Sequence, residues 1–183
     1  MRRSCLIYFL VLALSSVSLS SFAEQGNLLV NPGFEKVDPL GWGAYGDSTY
    51  DTGTYRSGKQ SGKAWVWDYG DGLFEQYVDV IPGMQYKASV YVLGKPGDPI
   101  SGDSKAWIQI EWCTIDNVII SEPIKSPPLT AASDTWKLLS TPAVIAPSGA
   151  AKAKIKVMIQ AAKKKTGGCC YFDDADFSSL PPM

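Results

Sequence analysis

The 183-residue sequence contains no histidine. That absence removes the commonest general base and every Ser-His or Cys-His catalytic arrangement, and leaves carboxylates as the groups available for acid/base chemistry. A zinc centre is not expected either, because adjacent cysteines such as Cys169 and Cys170 lack the usual ligand spacing. Excess positive charge is missing: Lys and Arg number 17 against 18 Asp and Glu, which argues against nucleic acid as a partner. Outside the N-terminus no window sustains a 3.6-residue period, so helices are not expected. No other segment approaches the apolar length of a membrane span, so membrane insertion is not expected.

The N-terminus reads as an address. Arg2 and Arg3 precede the apolar run Leu6 to Leu14, and Ser21-Phe22-Ala23 supplies small residues for cleavage after Ala23. Residues 1–23 are therefore expected to be a signal peptide, and residues 24–183 a single exported domain, secreted or periplasmic. Cleavage takes Lys and Arg from 17 to 15 against 18 acidic residues, a net charge of about −3. Of the three remaining cysteines, Cys113 with either Cys169 or Cys170 is the expected disulfide, one thiol staying free. The basic run Lys163-Lys164-Lys165 beside Gly167-Gly168 reads as a solvated turn.

Along the chain the dominant pattern is alternation. Asn27 to Glu35 reads as a short strand with an Asn-Pro-Gly turn, and Lys36 to Ser57 as a long loop rich in Gly, Asp, Thr and Tyr. Ala64 and Val66 then alternate with Lys63, Trp65 and Trp67, which puts two indoles about 7 Å apart on one strand face. Strands follow over 74–80 and 85–92. In Ala106 to Trp112, the residues Ile108, Ile110 and Trp112 take one face and Trp107, Gln109 and Glu111 the other. Further strands are expected at 118–120, 136–140 and 152–159, where Lys152, Lys154 and Lys156 alternate with apolar residues. Trp112 and Trp136 are assigned to the core. Short strands with turn signals between them define an all-β, two-sheet antiparallel β-sandwich.

The last strand is unusual because Asp173, Asp174 and Asp176 sit among aromatics, and Asp is depleted in strands. Two explanations stand open on these residues: a bound hard cation such as Ca2+ that offsets the repulsion, or a solvated acidic edge that prevents aggregation.

Four pieces in order carry a resemblance. They are Asn27 to Glu35 followed by Gly41-Trp42, Ser57-Gly-Lys-Gln-Ser61, Ile110-Glu-Trp112 followed by Asp116-Asn117, and Trp136 through Ala146-Pro-Ser-Gly-Ala150 to Tyr171-Phe-Asp-Asp174. Together they resemble carbohydrate-binding modules of the family 4/9/16/22 type, which have the galactose-binding-like jelly-roll fold, over essentially the whole mature chain. The resemblance implies a structural Ca2+ that joins the first strand to the last, through Glu35, main-chain oxygens near Lys59, and Asp173 or Asp174. Asp173 is favoured, because alternation gives it the face of Ala175 and Phe177. Sugar binding in that family uses aromatics bordered by polar groups, which nominates Trp65, Trp67 and Trp107 for stacking and Gln109 and Glu111 for hydroxyls. Tyr45, Tyr55 and Tyr69 border the rival loop-edge site. Trp112-Cys113-Thr114 and the Cys169-Cys170 pair depart from the family pattern.

The resemblance therefore implies a noncatalytic protein that binds a polysaccharide or glycan. An extracellular or cell-surface protein-contact module without a sugar site is the alternative. A glycoside hydrolase would need two facing carboxylates, for which Glu75 and Glu111 are the strand glutamates available.

Overall fold

A computed structural model describes residues 26–35, 41–163 and 166–181. The expected signal peptide and two lysines of the basic run lie outside the described residues. Eleven strands are present: β1 (Gly43–Gly46), β2 (Ser48–Asp51), β3 (Ser61–Trp67), β4 (Gly70–Asp79), β5 (Gln85–Gly94), β6 (Lys105–Cys113), β7 (Ile124–Lys125), β8 (Lys137–Ser140), β9 (Val144–Ile145), β10 (Lys152–Ala161) and β11 (Gly167–Leu180). No helix occurs among the described residues.

The strands form two antiparallel sheets. One runs β1-β4-β10-β6-β7 and the other β2-β3-β11-β5-β8, with β9 on the end of β5. Alternation sets what each sheet turns inward. From the first sheet Ile108, Ile110, Trp112, Ile155, Val157 and Ile159 enter the core, and from the second Val66, Val90, Val92, Phe172 and Phe177. Burying each of these side chains contributes about 1.5–3 kcal/mol. The inner layer fixes which residues are left for the outer faces.

Three strand expectations change. Asn27 to Glu35 forms no ladder, because Pro32 has no N–H to donate and Asn31 and Phe34 adopt φ of 53° and 56°. It is held to β11 instead: Leu28 N–H donates to Phe177 O at 2.8 Å and Ala175 N–H to Pro32 O at 2.9 Å. The segment read as one long loop holds β1 and β2, whose Gly-rich and polar residues carry no alternation. At 118–120 a single bridge, Ile119 with Cys113, replaces a strand, and β7 does the pairing.

The expected disulfide is not formed. Cys113, Cys169 and Cys170 are free and buried. Cys113 ends β6 in one sheet, whereas Cys169 and Cys170 lie on β11 in the other, with Cys170 turned into the core. Trp112 is in the core as expected; Trp136 is only partly buried and outside it. Trp42, buried against Phe34 with ring centroids 4.9 Å apart, donates its indole N–H to Asn31 O at 2.9 Å.

Candidate functional site

The outer face of the five-stranded sheet is assembled by register. Across it, Leu73 of β4, Met158 of β10 and Trp107 of β6 share one row, and Glu75, Lys156, Gln109 and Lys125 share the next. Tyr77, Lys154 and Glu111 make the third row. β6 is buried on both faces from Ala106 to Cys113, so its polar outer residues lie at the bottom of this surface.

Those polar residues are chained together. The Trp107 indole N–H donates to Gln109 Oε1 at 2.6 Å, and Gln109 Nε2 donates to Glu111 Oε1 at 2.5 Å. Lys156 Nζ reaches the same Glu111 oxygen at 3.0 Å, and Lys154 Nζ lies 2.8 Å from Glu75 Oε2. Burial alone would lower the Lys154 ammonium, but hydrogen bonds to Glu75 and Tyr77 hold it above its ordinary range. The chain stops at one atom: Glu111 Oε2 is buried and has no partner. A buried carboxylate oxygen left this way costs about 1–3 kcal/mol, so it is a strong acceptor for any donor that reaches it.

Tyrosines border this floor. Tyr77 is 39% exposed and Tyr45 is 54% exposed. The Tyr45 ring folds over Gly43, where an added Cβ would stand 2.9 Å from its Cε2, so glycine lets the ring lie close to the strand. Beyond Trp107 the surface deepens into a hollow of about 390 Å³, lined by Asp103, Lys105, Trp107, Lys125, Ser126, Pro128, Gln160 and Ala162. Gln160 and Ala162 also line a smaller hollow of about 170 Å³ that leads to Tyr69. Lys125 Nζ sits 4.6 Å from the Trp107 ring centroid.

The five residues nominated from sequence do not share one face. Trp107, Gln109 and Glu111 lie together on the face just described, whereas Trp65 and Trp67 belong to β3 in the six-stranded sheet and face the opposite side of the sandwich. Trp107 is 6% exposed, its ring is covered by Lys125 and its N–H is taken by Gln109, so it is a floor rather than an open stacking platform. Trp65 packs beside Lys63, and Trp67 is 67% exposed at the strand end. The residues that sequence reading passed over are Tyr77, Lys154, Lys156 and Lys125, with Tyr45 placed on the sheet face and Glu75 two strands from Glu111. Alternation in β4 and β10 marked the outward direction of Glu75, Tyr77, Lys154 and Lys156; it could not say which strands lie side by side.

The proposed metal ligands gather elsewhere, where the N-terminal segment meets β11. A bulge between Asp173 and Asp176, with Asp174 at φ 46°, breaks the alternation of β11. Phe172 and Phe177 therefore both face the core, and Asp173 lies on the outer side under the turn at 56–59. Its Oδ2 accepts the N–H groups of Arg56 at 2.7 Å and Ser57 at 3.1 Å, and its Oδ1 that of Asp174 at 2.8 Å. Burial pushes the Asp173 carboxyl up, an effect these N–H bonds oppose. Asp174 takes Arg56 Nη1 at 2.5 Å and Ser57 Oγ at 2.7 Å. Glu35 accepts Lys59 N–H at 3.0 Å and 3.1 Å.

Calcium requires six to eight oxygens. The turn at Lys59 presents its N–H, not its carbonyl, to Glu35, and Arg56 already faces Asp174. Among the described residues no three acidic, Cys or His side chains converge as a metal-holding group. Glu35, Asp173, Asp174 and the Lys59 turn meet at one place, but in this arrangement their oxygens are taken by donors of the chain and do not form a calcium shell.

No family model and no curated protein sequence matches the chain. Solved structures do. The "enzymatically active domain" of Bacteriophage CBA120 tailspike protein 4 superposes with a TM-score of 0.63 at 14% identity, over 84% of this chain and 21% of that one. The chain thus spans about a fifth of that tailspike domain. The CBM22-1 xylan-binding domain of Paenibacillus barcinonensis Xyn10C gives a TM-score of 0.60 at 15% identity, over 88% of this chain and 99% of that domain. TmCBM61, solved with β-1,4-galactotriose, gives 0.59 at 17% identity, over 84% and 99%. The chain has the β-sandwich jelly-roll fold shared by these carbohydrate-binding modules.

Proposed function

We propose that the chain is an exported, noncatalytic glycan-binding protein whose site is the outer face of the five-stranded sheet. The observation that carries this reading is the unpartnered Glu111 Oε2, buried beside Gln109 and Lys156 on a face bordered by Tyr45 and Tyr77. Sugars present apolar C–H faces for aromatic stacking and hydroxyls for hydrogen bonds. A hydroxyl would donate to Glu111 Oε2, and the Lys154 and Lys156 ammoniums would donate to ring and hydroxyl oxygens. The fold shared with xylan- and galactotriose-binding modules supports the same reading. Export rests on the N-terminal signature.

Noncatalytic action is supported by the way Glu75 and Glu111 are held. Both lie on one face, yet each carboxylate is committed to a lysine of β10, at 2.8 Å and 3.0 Å. In place of calcium, we propose Arg56 and the backbone N–H groups of the 56–59 turn as the groups that hold the carboxylates at the N-terminal clasp. A second reading, a protein-contact module, draws on the exposed aliphatic loop of Ile115, Val118, Ile119 and Ile120.

Affinity electrophoresis separates the two. Retardation in gels containing xylan, galactan, glucan, mannan or polygalacturonate, lost in Glu111→Gln, is expected. No retardation in any gel sinks the glycan reading and leaves the contact module.

A further inference from the structure

The face is rich in lysines, and they are not alike. Lys154 is paired with Glu75, Lys156 with Glu111, and Lys152 bonds Asn117 Oδ1 at 3.0 Å. Among the described residues Lys105 and Lys125 have no carboxylate partner, and both line the hollow of about 390 Å³ beside Trp107. That volume lies in the range of sites that enclose a small ligand. Lys125 is held by the Trp107 ring 4.6 Å from its Nζ, a cation–π contact that keeps the ammonium over the hollow without neutralising it. Asp103, on the same wall, has a buried Oδ1 with no partner. The hollow is therefore lined by two cations without a carboxylate partner, the Asp103 carboxylate, the Ser126 hydroxyl and the Gln160 amide.

We infer that this hollow takes an anionic sugar unit, a ring carrying a carboxylate or sulfate, so that the glycan recognised by this face is acidic. The inference rests on the glycan-binding reading above and names the substrate class for that site. The anionic group sits between Lys105 and Lys125, and ring hydroxyls donate to Asp103 and exchange hydrogen bonds with Ser126 and Gln160. A neutral sugar satisfies Asp103 and leaves both ammoniums unpaired. The anion is what the two free lysines add. One negative wall residue among two positive ones also gives selectivity for a ring that bears hydroxyls as well as charge, because a simple anion leaves the Asp103 oxygen without a donor.

The test is titration calorimetry of the protein with polygalacturonate, with the same polymer after carboxyl reduction, and with a sulfated galactan. The acidic polymers are expected to bind at least about tenfold tighter than the reduced one at low salt, with the gap closing as sodium chloride approaches 1 M. Uronate and sulfate arms separate the two sources of the charge. Lys105→Gln and Lys125→Gln are each expected to weaken the acidic polymers more than the reduced one and so erase most of the gap, and Lys125→Arg to keep it. Lys137→Gln, an exposed lysine on the other sheet, is expected to have no effect. Equal affinity for the charged and reduced polymers overturns this inference and leaves the glycan reading standing. No binding to any polymer overturns both, and an equal loss with Lys137→Gln reduces the preference to unspecific charge attraction.

Discussion

The clasp at β11 and the face around Glu111 are built from the same residue types and are finished differently. In the clasp, both oxygens of Glu35, Asp173 and Asp174 are taken by N–H, hydroxyl or guanidinium donors of this chain. On the face, Glu111 shares one oxygen between Gln109 and Lys156 and leaves the other unmet, and Asp103 Oδ1 is unmet nearby. A saturated network is a finished structural joint. An unsaturated one, in a buried setting where each unmet oxygen is costly, retains capacity for a partner from outside.

Mutations in the two regions are therefore expected to separate stability from binding. The largest effect is expected for Asp173→Ala, which strips three N–H groups of their acceptor under a buried turn and lowers unfolding free energy by about 3 kcal/mol in a denaturant melt, with little change in glycan affinity. Glu111→Gln inverts this pattern: binding falls at least about tenfold, equivalent to about 1.4 kcal/mol, while the unfolding midpoint moves less than for Asp173→Ala. If Glu111→Gln instead destabilises as much as Asp173→Ala, the face is structural and the contrast collapses.

Smaller changes sharpen the contrast. Tyr77→Ala and Tyr45→Ala each remove a half-exposed ring and are expected to cost several-fold in affinity with stability held within about 0.5 kcal/mol, measured by calorimetry and melting. Arg56→Ala is expected to lower the melting midpoint by less than Asp173→Ala, because this arginine is solvent-exposed and its ion pair is screened. A chelator is expected to leave the midpoint unchanged, and a fall in the midpoint on calcium removal refutes the arginine-held clasp.

The smallest effect is expected from reducing agent. Burial pushes the Cys169 thiol up to about 11 and raises the Cys170 thiol well above its ordinary value, and Cys113 is raised by burial and by Glu111. Native protein should therefore react slowly with thiol reagents at neutral pH, and its mobility should be the same with and without reductant. A disulfide between Cys113 and Cys169 or Cys170 would tie the two sheets together and remove the independence of the two regions.

How much of this was legible beforehand follows from what alternation can and cannot encode. In Ala106 to Trp112 the two faces could be read directly, because one face is aliphatic and the other carries Trp107, Gln109 and Glu111. The same holds for Lys152, Lys154 and Lys156. β1 and β2 were hidden, since Gly43-Ala-Tyr-Gly46 and Ser48-Thr-Tyr-Asp51 pair at sheet edges and need no apolar face.

The sequence by itself determined that the chain is all-β, that its strands are two-faced, and which residues of regular strands such as β6 and β10 avoid the core, because side-chain direction along an unbulged strand is a local property of the backbone. Only the tertiary structure decided which outward faces belong together. β3 and β6 joined different sheets, separating Trp65 and Trp67 from Trp107, and β10 inserted its lysines between Glu75 and Glu111. The bulge at Asp173 and Asp174 reversed the parity of β11, so the residue expected beside Ala175 and Phe177 lies under the Arg56 turn. Strand order and register arise from packing between residues far apart in the chain, and a period-two pattern carries no record of them.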